Sequence, residues 1–139
     1  MKKKVIKWII ILAVVLVAIC TIQILRGRII LPAMVQRVEF EGVGSDCEGA
    51  AGPVELDRSE IRKAATYHSF SLYAGTVNAE ACEFDFRFKF YLVGGTEITV
   101  KDAGSMGIEV NTPLGKYWIK SEALEKYAQE LIEKYGLDE

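Results

Sequence analysis

Cys82-Glu83-Phe84-Asp85-Phe86-Arg87-Phe88-Lys89-Phe90 is the stretch that decides the fold. Four phenylalanines share one parity, and every residue between them is charged. Side chains alternate across a strand, so this period of two marks a half-buried antiparallel strand with its aromatic face inward and its charged face in water. Its partner is Thr96 to Lys101, where Ile98 and Val100 are the apolar residues. Directly opposed residues lie on the same face of a sheet, and this fixes the turn. A two-residue Gly94-Gly95 loop would set Thr99 against Phe90, whereas a three-residue loop, Val93-Gly94-Gly95, sets Ile98 against Phe90 and Val100 against Phe88. The odd loop is expected, with Gly95 supplying the left-handed residue such a loop uses. The same parity across Ala103-Gly104-Ser105 pairs Val100 with Ile108 and Ile98 with Val110. A turn around Pro113-Leu114-Gly115 then leads to a last strand, Lys116 to Lys120.

Outward from this hairpin, Val38 and Phe40 alternate with charged residues as a first strand near 34–42. Gly42 to Pro53 holds four glycines and reads as a loop. Asp57-Arg58-Ser59-Glu60 has the form of a capping box opening a helix over about 58–66. His68, Phe70, Leu72 and Ala74 alternate with Ser69, Ser71 and Tyr73 as a second strand. After Ser121, a fair N-cap, the residues Leu124, Tyr127, Ala128, Leu131, Ile132 and Tyr135 form an amphipathic stripe that Gly136 ends. The order β-α-β-β-β-β-β-α predicts an α+β domain, an antiparallel meander of five or six strands with a short helix and a C-terminal amphipathic helix covering one face.

Upstream, the character of the chain changes. Val5 to Leu25 is almost wholly Ile, Leu, Val and Ala, and its 21 residues would span about 31 Å as a helix, close to the hydrocarbon thickness of a bilayer. Residues 1–28 carry six basic side chains and no acid; the remainder carries eleven basic against nineteen acidic, a net charge of −8. Lys2, Lys3, Lys4 and Lys7 stand before or at the start of the span, so the positive-inside bias places the N-terminus in the cytoplasm and the rest outside. Trp8 suits an interfacial anchor at the cytoplasmic end. Two rival readings are a cleaved signal peptide ending near Ala18-Ile19-Cys20 and a lipidated Cys20; the apolar run past Cys20 (Ile22, Ile24, Leu25) favours the uncleaved anchor. A buried core helix would not need lysines stacked at one end. The chain therefore divides into a Lys-rich start and anchor over 1–28, a short linker over 29–33, and an extracytoplasmic domain over 34–139. The expected location is the plasma membrane, with residues 5–25 in the lipid bilayer.

Nucleic acid is excluded as a partner, because the basic charge flanks an apolar span and the domain is acidic. Cys47 and Cys82 both fall in the outer domain. A disulfide between them would close 36 residues and stabilise by about 3–4 kcal/mol in the chain-entropy model. By parity, Cys82 should point inward with the phenylalanines. No second ligand pair accompanies the cysteines, so no zinc or other metal is expected, and no cofactor. His68, the single histidine, reads as a core residue; no G-x-S-x-G, P-loop or H-E-x-x-H motif is present, and no catalytic residue is assigned. Glu83 and Asp85, about 7 Å apart by strand rise, have a spacing that glycan hydrolysis uses, but the charges of Arg87 and Lys89 continue the same face and a solvated strand explains all four. Asp46 and Glu48 in the glycine-rich loop lack an EF-hand pattern. Tyr117 and Trp118 point to opposite faces of the last strand, so one of them is an exposed aromatic and a candidate partner contact.

The Lys-rich start, single span, brief strand, the Leu-Asp-x-x-Glu-Ile opening at Leu56 to Ile61, and the Tyr-Ala-x-x-Leu-x-x-Lys-Tyr helix at Tyr127 to Tyr135 resemble small single-pass membrane-anchored envelope proteins of Gram-positive bacteria. The resemblance spans the chain, implies a bacterial single-pass protein, and carries over no catalytic residue. The reading from sequence is a non-catalytic binding or assembly module of the cell envelope, its partner another membrane or envelope protein. A protective inhibitor or immunity-type protein acting through its sheet face is the alternative, and an envelope glycan hydrolase using Glu83 and Asp85 the third.

Overall fold

The structure is a computed structural model that describes residues 2–77 and 82–137. It is an α+β fold preceded by an apolar helix. Helix α1 spans Lys2–Leu25 with no buried residue, and by length and composition it is long and apolar enough to cross a membrane. The domain that follows contains strands β1 (Val35–Glu41), β2 (Gly44–Ser45), β3 (Gly49–Ala50) and β4 (Val54–Glu55), helix α2 (Arg58–Ser69), strands β5 (Leu72–Thr76), β6 (Glu83–Phe84), β7 (Arg87–Leu92), β8 (Glu97–Asp102), β9 (Ile108–Thr112) and β10 (Gly115–Lys120), and helix α3 (Glu122–Tyr135). Seven strands form one antiparallel sheet in the order β4-β1-β7-β8-β9-β10-β5, and β3-β2-β6 form a second, smaller sheet.

The hairpin register follows from the three-residue loop. Phe90 faces Ile98 and Phe88 faces Val100, and both Gly94 and Gly95 take positive φ, which a side chain would strain. On the other side of β7, Phe88 opposes Phe40 and Phe90 opposes Val38. The next turn is longer than parity alone suggests. A 3-10 turn at Gly104–Met106 fills it, Ala103 N–H donates to the Gly107 carbonyl, and Val100 therefore faces Val110, not Ile108. The shift is two residues, so the apolar face is kept.

Three further expectations from the sequence differ from the structure. First, the Phe strand is two strands. It bends at Asp85-Phe86, so β7 stays in the large sheet while β6 joins β2. Phe86, Phe88 and Phe90 enter the main core, but Phe84 does not; it is buried on the other side, under the Arg87 guanidinium 4.4 Å from its ring. Cys82 shares this changed orientation and is exposed, not inward. Second, α2 runs on to Ser69, so His68 is helical. Glu60, Ile61, Ala64, Ala65 and His68 form its buried stripe, and the alternation seen from His68 to Ala74 is the end of a helix followed by a strand that starts at Leu72. Phe70 and Leu72 are exposed. Third, the glycine-rich segment read as loop contains β2 and β3.

Both helices cover the face that holds the phenylalanines. The capping box is present, Asp57 accepting from Glu60 N–H and the Glu60 carboxylate from Asp57 N–H. Glu60 also ties the helices together, accepting from Tyr135 Oη at 2.6 Å and Lys134 Nζ at 2.9 Å. Helix α3 begins on Ser121 and ends on Gly136 in the left-handed conformation, φ 65°.

The passage from α1 into the domain is built in. Gly27 is buried with φ +73°, and a Cβ there would stand 2.7 Å from Thr112 Cγ2. His68 Nε2 hydrogen-bonds the Gly27 carbonyl at 2.5 Å, Arg28 donates to the Ser71 carbonyl at 2.8 Å, and Ile30 N–H donates to Ser69 Oγ at 2.9 Å. Ile30 belongs to the core. Residues 29–33 thus carry core and turn positions as well as connecting the two parts.

His68 gives this junction a pH dependence. Burial pushes its imidazole down to about 4, the Gly27 carbonyl opposing and the Arg28 charge assisting that shift. The unfolded imidazole titrates near 6.5. Neutral His68 therefore contributes fully above pH 6.5, and its contribution is lost as pH falls toward 4, by up to about 3 kcal/mol. Denaturant midpoints of the full chain in detergent, measured from pH 7 to 4, should fall more steeply for the native protein than for His68→Gln. Equal slopes would contradict this assignment.

Candidate functional site

The face of the large sheet opposite the helices carries charge on nearly every strand. Register places Glu41 beside Arg87, Arg87 beside Lys101, Lys101 beside Glu109, and Glu109 beside Trp118 in one row. A second row runs Glu39, Lys89, Thr99, Asn111 and Lys116.

Arg87 is the hub. Its Nη2 donates to both oxygens of Glu41 at 2.8 and 2.9 Å, its Nε to Oε1 at 3.0 Å, and its Nη1 to Asp46 Oδ1 at 2.5 Å. Lys101 Nζ donates to the other Asp46 oxygen at 2.7 Å. Burial alone would raise the Asp46 carboxyl, but Lys101 and Arg87 outweigh it and hold the group below its ordinary value. Asp46 comes from the glycine-rich segment, and its backbone N–H donates to the Cys82 carbonyl. Its carboxylate is thus committed to ion pairs rather than to the cation considered from sequence; among the described residues no group of three His, Cys, Asp or Glu is placed to hold a metal ion.

Glu109 is the unusual member. It is only 2% exposed, and its Oε2 has no hydrogen-bond partner among the described residues. It lines a groove of about 270 Å³ together with Lys89, Thr99, Lys101, Asn111 and Lys116. A buried carboxylate oxygen without a donor is costly, and Glu109 holds one at the floor of this charged groove. Fixed positive and negative groups side by side suit a partner with its own alternating charge.

The candidates read from sequence fall in three places. Trp118 lies on this charged face, half-buried, whereas Tyr117 turns into the core with its ring 6.0 Å from that of Tyr73. Glu83 and Asp85 are exposed and line a shallow groove of about 350 Å³ with Ser45, Glu48 and Gly104. Asp102, which the sequence did not single out, stands beside Asp85. Burial pushes its carboxyl up to about 6; the Gly104 N–H opposes this, and the charges of Asp85 and Glu125 add to it. With Glu122 these acids make one end of the domain strongly negative.

Cys47 and Cys82 are brought together, their Sγ atoms 2.7 Å apart and both residues exposed. The Cys82 thiol raises that of Cys47, first through their hydrogen bond. In an oxidising compartment the pair is expected to form a disulfide that fastens Asp46 to the sheet and adds about 3–4 kcal/mol. Non-reducing electrophoresis and denaturant midpoints with and without reductant test this. A midpoint indifferent to reductant would argue against the bridge.

From sequence alone Arg87 and Lys89 read as a solvated strand face, and nothing marks Glu41 or Glu109. The parity of Glu109, between Ile108 and Val110, was available; its neighbours were not, because they depend on the length of the turn before it. Compared with protein-family models, curated proteins and solved structures, the chain matches none.

Proposed function

We propose that this chain is a single-pass protein of the plasma membrane, its N-terminus cytoplasmic and its domain outside, and that the domain is a non-catalytic binding or assembly module of the cell envelope. It engages another membrane or envelope protein through the charged face of the sheet. The observation that carries this reading is Glu109, buried in a groove of fixed charges with one carboxylate oxygen unpartnered. The helices occupy the opposite face, which leaves this one as the broad surface for a partner. The lysines at the start of the span support the orientation through the positive-inside bias.

A photo-crosslinking residue at Thr99, on the charged face, and another at Gln129, on the exposed side of α3, test the proposal in native membranes. The expected result is one discrete adduct from position 99, absent from position 129 and lost in Glu109→Gln. Adducts alike from both positions, or none from 99, would overturn it. Should the adduct prove to be a toxin or envelope hydrolase whose activity the purified chain blocks, the inhibitor reading replaces the assembly one.

A further inference from the structure

We propose that the end of the domain beside the anchor rests on the bilayer, with Phe70 and Leu72 seated in the interfacial layer of the outer leaflet. The proposal rests on reading α1 as a membrane span. If α1 crosses the bilayer, Leu25 marks its outer end, and whatever is bonded to the next few residues stands at the level of the lipid headgroups.

Residues 68–71 are bonded in that way. His68, Ser69 and Ser71 hydrogen-bond to Gly27, Ile30 and Arg28, respectively. Tyr73 lies even closer to the helix, lining a hollow with Gln23 from its last turn and with Arg26 and Arg28. These short contacts leave no slack by which the segment could lift away.

The side chains of this segment are apolar and uncovered. Phe70 is 83% exposed, Leu72 71% and Tyr73 51%. Leu114, also exposed, shares a second hollow with Arg26 and Tyr73. Leu31, exposed as well, follows Ile30 directly. Single exposed apolar residues are ordinary on a protein surface. Phe70 and Leu72, close in sequence on a segment bonded to the helix exit, with the exposed ring of Tyr73 beside them, are a patch, and a patch marks a contact.

The charge agrees with a phospholipid surface as the occupant. The domain as a whole is acidic, but among the described residues these two hollows are lined by Arg26 and Arg28 and by no acid. Cations at headgroup level pair with phosphates, while Tyr73 has the amphipathic ring that favours the interface. The acids Asp85, Asp102, Glu122 and Glu125 line a separate hollow, and Asp102 stands three strands across the sheet from Tyr73, about 14 Å at the spacing of neighbouring strands.

The test uses the full chain in vesicles of phosphatidylethanolamine and phosphatidylglycerol, with a dansyl amino acid placed at one position at a time. Position 70 probes the proposal, position 14 the span, and position 55, exposed on β4 at the opposite edge of the sheet from β5, the far side of the domain. Brominated acyl chains and aqueous iodide serve as quenchers. The expected result is that brominated chains dim positions 14 and 70, with a blue-shifted emission at 70, while iodide alone dims position 55. Loss at 14 with position 70 behaving like 55 would overturn the proposal and leave the span standing. No loss at 14 would remove the span reading, and the proposal with it. A position 70 shielded from both quenchers means that protein, a second copy or a partner, covers the patch instead of lipid, and also overturns it.

Discussion

Truncating Arg87 to alanine is expected to destabilise the folded domain by about 3 kcal/mol, since removing one partner of a buried ion pair strands the other. Glu41 is nearly buried and takes three of its hydrogen bonds from Arg87. Lys89, whose Nζ is 3.6 Å from Glu41, is a weaker and more exposed substitute. Asp46 would lose its shortest contact, and Phe84 the guanidinium that covers it. The double variant Arg87→Ala with Glu41→Gln separates these causes. Most of the loss should be recovered when the stranded charge is neutralised, whereas a purely packing role would leave the double variant as unstable as the single one. Denaturant titration of the full chain in detergent reads the difference.

Phe88→Ala should cost more, about 3–5 kcal/mol, the usual range for emptying a large aromatic site in a core. Phe88 is fully buried, with ring centroids 4.7 Å from Phe40, 5.6 Å from Phe86 and 6.0 Å from Phe90. It also opposes Val100, so its loss loosens both neighbours of β7 at once. Phe84→Ala is the informative companion. Phe84 lies outside the main core, under one side chain rather than under two helices, and its truncation should cost clearly less. Equal losses at the two positions would contradict the division of the strand at Asp85.

That division shows what the sequence could and could not reveal. Alternation specified the strand, the turn at Val93 and the face that meets the helices, because each depends on neighbours one or two residues apart. It could not reveal the bend at Asp85-Phe86, where the chain leaves one sheet for another and the parity of Phe84 and Cys82 changes meaning. His68 failed for a related reason: at the end of a helix, residues two apart imitate a strand for a few positions, and only contact with Gly27 shows which period holds. The charged site was the least legible. Arg87, Asp46 and Lys101 come from separate segments, and Glu109 reaches its neighbours only because the preceding turn has five residues and not three. Tyr117 and Trp118 lay between these cases, since parity required them to part but did not say which faced out.

Where the domain resides decides which partners its charged face can meet. An epitope tag fused after Glu139, probed with antibody on protoplasts of cells making the full chain, reads this directly. Binding to intact protoplasts is the predicted result. Binding only after permeabilisation would place the charged face, the cysteine pair and the patch around Phe70 on the cytoplasmic side, and would contradict the account.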